Sequence, residues 1–145
     1  MSRFIGLDHG SRRIGVAVGD TETGMAFSRA AIQRRNLAAD LATIADLVAV
    51  EAAAAVVIGL PLNMDASEGD QAASVRRFGE RLVALGLTIA YEDERLSSWE
   101  AGERLTEAGR RPRRASGELD STAARVILQQ YLDARRRAGP PEETE

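Results

Sequence analysis

Apolar residues recur along the chain with two spacings, and the changes between them mark its elements. Phe4 to Leu7 and Ile14 to Val18 are short apolar runs either side of a polar turn containing Gly10 and Ser11, which predicts a β-hairpin. Met25 to Ile32, after a Thr21-Glu22-Thr23-Gly24 turn, reads as a third strand. The spacing then becomes helical. Leu37, Leu41, Ile44, Leu47 and Val48 share a face, Asn36 is a ready N-cap, and helix is expected to about Ala53. Ala54 to Leu60 is a continuous β-branched run, suited to a buried parallel strand. Beyond the loop Pro61 to Gly69, the residues Val75, Phe78, Leu82 and Leu85 mark a helix ending near Gly86. Leu87 to Tyr91 is a fifth strand, running into the acidic stretch Glu92-Asp93-Glu94. Ser97 and Glu100 form a capping box for a helix reaching about Ala108. Gly109 to Gly117 is an arginine-rich break, and a last helix runs from about Glu118 to Arg136.

A hairpin-rich start followed by βαβ units predicts an α/β fold with a mixed sheet covered by helices. Ligands of such sheets sit outside the carboxyl ends of the parallel strands. Asp8 and the acidic run at 92–94 both fall at strand ends, so they share a rim if their strands are parallel neighbours. Asp120, Ala124, Ile127 and Tyr131 make one helical stripe, with Asp120 at its N-terminal end. Each acid has an ordinary structural role available: Asp8 can cap its turn, and Asp120 can complement the helix dipole. Together they suggest something more. Converging carboxylates raise one another's pKa, and a divalent cation relieves that conflict. An all-oxygen donor set suits Mg²⁺ or Mn²⁺, and a pair of such ions supports phosphodiester hydrolysis.

Composition narrows the field. The 145 residues suffice for one domain, expected over 1–137, with a disordered tail at 138–145 containing Pro140 and Pro141. Aromatic residues are only 4% of the chain, so Ala, Leu, Val and Ile must build the core. The lack of cysteine excludes a disulfide scaffold, a thiolate metal site and a Cys nucleophile, and suits the cytoplasm. Arg3 and Asp8 interrupt the first apolar run, so no signal peptide is expected, and no stretch is apolar enough to span a membrane. The net charge of −3 does not advertise nucleic-acid binding, although all 19 basic residues are Arg, whose planar forks suit phosphate.

The chain resembles the YqgF (RuvX) family of Holliday junction resolvase-like and pre-16S rRNA nucleases, within the RNase H-like superfamily. The resemblance rests on four segments: Gly6-Leu7-Asp8-His9-Gly10-Ser11-Arg12-Arg13-Ile14-Gly15-Val16-Ala17-Val18; Val57-Ile58-Gly59-Leu60-Pro61-Leu62-Asn63-Met64-Asp65-Ala66-Ser67-Glu68-Gly69; Asp93-Glu94-Arg95-Leu96-Ser97-Ser98; and Leu119-Asp120-Ser121-Thr122-Ala123-Ala124-Arg125-Val126-Ile127-Leu128-Gln129-Gln130-Tyr131-Leu132. In order and spacing they cover nearly everything but the tail. The departures are Arg12 where Lys is usual, Ala66 where Gly is frequent and Gly19 where Ser is frequent. The resemblance implies an RNase H-like fold, a five-stranded mixed sheet with helices on both faces. It also implies a catalytic, metal-binding trio of Asp8, Glu94 and Asp120 holding two Mg²⁺ or Mn²⁺ ions. Spacing alone does not choose Glu94 over Asp93; the family pattern does. The implied activity is trimming the 5′ end of pre-16S rRNA in ribosome biogenesis. Resolution of branched DNA is the alternative.

The remaining candidates have paired readings. Arg13 and Arg95 adjoin the acids and either contact phosphate or pair with carboxylates such as Asp93. Arg110, Arg111, Arg113 and Arg114 surround Pro112 and form a candidate backbone-binding loop, against a simply solvated one. Arg135 to Arg137 complement the last helix's dipole. His9 reads as a solvated turn residue near the rim, Trp99 as packed, and Asn63 as either positioning substrate or satisfying its turn. The expected partner is nucleic acid, with ribosomal particles possible and no membrane, and the chain acts as a monomer or homodimer. Two rivals stand beside the nuclease. One is an actin-like or sugar-kinase phosphate-binding domain, whose usual two lobes this length does not provide. The other is a noncatalytic RNA-binding assembly module.

Overall fold

A computed structural model describes residues 1–94 and 118–138, the side chains of 118–120 and 138 excepted. The helix expected from Ser97 and the arginine loop lie outside the described residues. Five strands, β1 (Arg3–His9), β2 (Arg13–Asp20), β3 (Ala26–Gln33), β4 (Ala55–Leu60) and β5 (Ile89–Asp93), form one sheet in the order β3-β2-β1-β4-β5. The first three pair antiparallel, whereas β4 lies parallel to both β1 and β5. The helices are α1 (Leu37–Glu51), α2 (Asp70–Ala84) and α3 (Glu118–Ala138). The mixed sheet with helices on both faces is therefore as expected.

Each helix end has a local cause. The Asn36 side chain accepts from the Ala39 N–H at 2.8 Å, capping α1. That helix stops at Glu51, before the expected Ala53, because Ala52 turns left-handed at φ 53° and Ala53 N–H bonds back to Val48 O. A similar closure moves the fifth strand. Gly86 adopts φ +92° and Leu87 N–H returns to Leu82 O, so Leu87 is used in the closure that follows α2 and β5 begins at Ile89. At its other end β5 runs two residues past the expected Tyr91, and Glu92 and Asp93 are its last residues. At the other end of the chain, α3 continues to Ala138 and takes in the first residue of the expected tail.

Period-two alternation divides the core in two. Ile5, Leu7, Ile14, Val16, Val56, Ile58 and Leu60 point to one face, under Ile44 of α1 and Ala72, Val75, Phe78 and Leu82 of α2. Phe4, Ala17, Ala55 and Val57 point to the other, under Ala124, Ile127, Leu128 and Leu132 of α3. The α3 face is built from small residues, and this lets the helix lie directly on the strands. A Cβ at Gly6 would come within 2.8 Å of Leu128 Cβ and 3.0 Å of Ala124 O. Ser121 fixes the start of α3: its hydroxyl donates to Arg29 O at 2.7 Å, while Ser28 Oγ donates to Ser121 O at 3.1 Å. Further along, the Gln129 amide ties the helix to the β2–β3 turn through Ala26 N–H and Gly24 O.

Candidate active site

The strand register carries Asp8 to the rim. Leu7 pairs with Ile58 of β4, so Asp8 falls one step further on, level with Gly59, while Gly59 pairs with Glu92 of β5. Alternation sends Asp8 to the α3 face, two positions beyond Gly6. On β5 the same rule puts Ala90 and Glu92 on that face. Glu92 there accepts from Gln130 of α3 at 2.5 Å. Glu94 follows, its N–H bonded to Leu60 O.

Gly59 explains where the Glu94 side chain rests. A Cβ at Gly59 would stand 2.5 Å from Glu94 Oε1 and 2.5 Å from Ile127 Cδ1. The absent side chain thus leaves the seat for a carboxylate between β4 and α3. Burial there pushes the Glu94 carboxyl above its ordinary range, and the neighbouring negative charge of Asp93 adds to the push. Burial likewise raises Glu92, against the opposing effect of its Gln130 hydrogen bond.

Asp8 and Glu94 both line a cleft of about 430 Å³ at the carboxyl ends of the parallel strands. Pro61, Gln71, Ser74 and Val75 form the wall on the α2 side, and His9, Gly10, Ser11 and Arg34 complete it. Two of the three proposed acids therefore share one cavity, and Asp93 does not line it. The third, Asp120, stands in the first turn of α3. The neighbouring Ser121 is tied to Arg29, a residue level with Val16 of β2 and hence with Leu7 of β1. The chain thus brings the start of α3 to the level of the strand end that bears Asp8. Among the described residues, no three His, Cys, Asp or Glu side chains group closely enough to hold a metal ion by themselves. The donors that Asp8 and Glu94 supply are carboxylate oxygens, as a hard cation requires.

The arginines are placed unequally. Arg13 opens β2 opposite Gln33, on the α3 face by alternation, and does not line the cleft. Arg95, Arg110, Arg111, Arg113 and Arg114 lie outside the described residues, as does Trp99. The basic last turn of α3 at Arg135 to Arg137 is present. Asn63 serves its own loop, with Nδ2 donating to Ser67 Oγ at 2.9 Å, while Asp65 accepts from Ser67 N–H and Oγ.

His9 departs from the expectation of a solvated turn residue. Its ring packs against Phe78 with centroids 4.6 Å apart, and its Nε2 lies 3.1 Å from Arg34 Nη1. The guanidinium has only hydrogens to offer, so Nε2 accepts and the ring is neutral. Burial first, and the positive Arg34 second, lower the His9 pKa from 6.5 to about 4, with Asp40 opposing. Arg34 is the cleft residue that sequence reasoning missed. The available signal was the basic pair Arg34-Arg35 directly before the Asn36 cap, at the end of a strand.

Comparison with known proteins completes the picture. Residues 2–134 match the family described as "RuvX: Holliday junction resolvase". The chain belongs to the RuvX family. Curated relatives carry the name "Putative pre-16S rRNA nuclease". One from a Synechococcus strain is 46% identical over 137 residues, covering 91% of this chain and 89% of its own. One from an Anaeromyxobacter strain is 44% identical over 134 residues, covering 92% and 98%. One from Moorella thermoacetica is 46% identical over 132 residues, covering 90% and 94%. Among solved structures, this RuvX-family chain is similar to T. thermophilus RuvC in complex with a Holliday junction substrate, with TM-score 0.62 and 14% identity over 96% of this chain and 98% of that one. It is also similar to the large terminase nuclease of phage G20c, with TM-score 0.56 and 16% identity over 90% and 81% of the respective chains. At these identities the likeness is one of fold, and that fold is RNase H-like. No helix among the described residues is long and apolar enough to cross a membrane.

Proposed function

We propose that this chain is a divalent-metal-dependent nuclease that hydrolyses phosphodiester bonds at the 5′ end of pre-16S rRNA; the names of its relatives indicate for them a pre-16S rRNA nuclease. The observation that carries the reading is the meeting of Asp8 and Glu94 in one cleft at the carboxyl ends of the parallel strands. Asp8, Glu94 and Asp120 are the residues that would hold Mg²⁺ or Mn²⁺. Bound there, a pair of such ions would activate water and stabilise the leaving oxygen. The chain's own part is positional. Asp8 is fixed by the β1 ladder, Glu94 by its seat over Gly59, and the start of α3 by Ser121. The raised Glu94 carboxyl fits a group that gains from a neighbouring cation. Arg13, Arg95 and the Arg110, Arg111, Arg113 and Arg114 loop are the proposed backbone contacts, and the cytoplasm is the proposed location.

The family description favours a second substrate, branched DNA. Both are tested by comparing wild type with Asp8→Asn on 5′-extended 16S precursor RNA and on four-way DNA junctions, with Mg²⁺ or Mn²⁺. The expected result is metal-dependent RNA cleavage by wild type and its loss in a folded Asp8→Asn protein. Cleavage of the junction alone would transfer the activity to DNA. Binding without cleavage would indicate an assembly module, and a fully active Asp8→Asn protein would refute the mechanism.

A further inference from the structure

Arg34 closes the cleft on the α1/α2 side, and its bonds leave it incompletely used. Its backbone N–H donates to Arg12 O at 2.9 Å, tying the end of β3 to the β1–β2 turn. Its Nε donates to Asp40 Oδ2 at 3.2 Å, and its Nη1 donates to Gly10 O at 3.0 Å and lies 3.1 Å from His9 Nε2. Asp40 is 2% exposed, and its other oxygen accepts from Arg35 N–H at 3.1 Å. The guanidinium also stands 5.7 Å from the centre of the buried Phe78 ring.

A guanidinium has five N–H donors. Nε spends one and Nη1 two, so the pair on Nη2 remains, on a side chain that lines the same cleft as Asp8 and Glu94. The plane is held from three sides by Asp40, Gly10 and Phe78, so contact with a ligand would cost it little further ordering.

We propose that Arg34 is a substrate-binding residue that holds a nucleic-acid phosphate flanking the scissile one. This rests on the nuclease reading of the cleft. The position follows from strand alternation. Asp8 points to the α3 face, whereas His9, which Arg34 grips, points to the α1/α2 face of the same edge. A strand bound at both crosses the rim of the sheet, past the uncharged side chains of Ser11, Gln71 and Ser74. Arg34 is a phosphate contact and is not a metal ligand.

Removing Arg34 alone would strand the buried Asp40, so the informative comparison is Arg34→Gln/Asp40→Asn against Asp40→Asn. Fluorescence anisotropy with labelled single-stranded RNA, and separately with a four-way DNA junction, is measured in Ca²⁺ at several salt concentrations. Mn²⁺ affinity and thermal unfolding are measured on the same proteins. The expected result is roughly tenfold weaker binding on loss of Arg34. The salt slope should fall by about 0.7 on RNA or about 0.9 on duplex DNA, as for one lost phosphate contact. Mn²⁺ affinity and folding should match Asp40→Asn. The arm that shows the loss identifies the backbone concerned. Equal affinity and slope in both variants would overturn the proposal, as would a wild type that binds neither probe. Because binding is read without cleavage, failure of the nuclease reading shows separately, as an active Asp8→Asn protein.

Discussion

Adding one methyl group at Gly59 is the sharpest test of how the cleft is built. The new Cβ would lie 2.5 Å from Glu94 Oε1 and 2.5 Å from Ile127 Cδ1, against ordinary carbon contacts of about 3.5 Å or more. Something must therefore move by about 1 Å. Ile127 is 1% exposed and packed among Val57, Ala124 and Leu128, so it can give way only by straining that core. Glu94 is the freer of the two and should swing out of its seat. Overpacking of this kind costs about 1–3 kcal/mol. With an unfolding entropy of about 2.1 cal/mol/K per residue, that corresponds to a Tm lower by roughly 3–10 °C. Displacing the proposed metal-binding carboxylate by about 1 Å should cost on the order of a hundredfold in rate. Thermal unfolding and metal-dependent cleavage of precursor RNA, run on Gly59→Ala and wild type side by side, read the two effects separately. A lower Tm with an unchanged rate would show that catalysis does not need Glu94 in this seat. A wild-type Tm and rate together would refute the packing argument itself.

Other expectations follow from the same geometry. His9, with a folded pKa of about 4 against 6.5 unfolded, should contribute stability that is complete above pH 6.5 and lost as pH falls towards 4. Its partial exposure reduces the contribution to about 1–2 kcal/mol, and urea unfolding from pH 7 to pH 4 should show that limb flattened in His9→Gln. Gln129→Ala removes the ties to Ala26 N–H and Gly24 O and should cost about 1–3 kcal/mol in denaturant unfolding, with the cleavage site unchanged. Replacing Arg110, Arg111, Arg113 and Arg114 together by Ala should weaken RNA binding on any sequence and shallow its salt dependence, leaving Mn²⁺ affinity intact. An unaltered slope would move backbone binding to residues such as Arg13 and Arg34.

The apolar pattern alone determined the elements, because period-two and period-3.6 runs can bury a face in only one kind of structure. The hairpin, the Asn36 cap, the buried β4 run and the stripe Ala124, Ile127 and Tyr131 are all where local chemistry places them. The start of β5 was not legible. Leu87 is as apolar as a strand residue, and only the backbone closure around Gly86 takes it out of β5. The acids were legible as candidates but not as a set. Choosing Glu94 over Asp93 from the residues alone requires knowing which face of the sheet α3 covers, and that depends on long-range packing. Gly59 was visible as a strand-end glycine, yet its use as a carboxylate seat exists only once β4, β5 and α3 meet. Arg34 was hidden for the same reason. It lies far along the chain from His9 and reaches it because Gln33 pairs with Arg13 across the sheet. Local preference sets the pieces within a few residues, whereas a cleft is made by strand register and by which side chains a covering helix leaves room for.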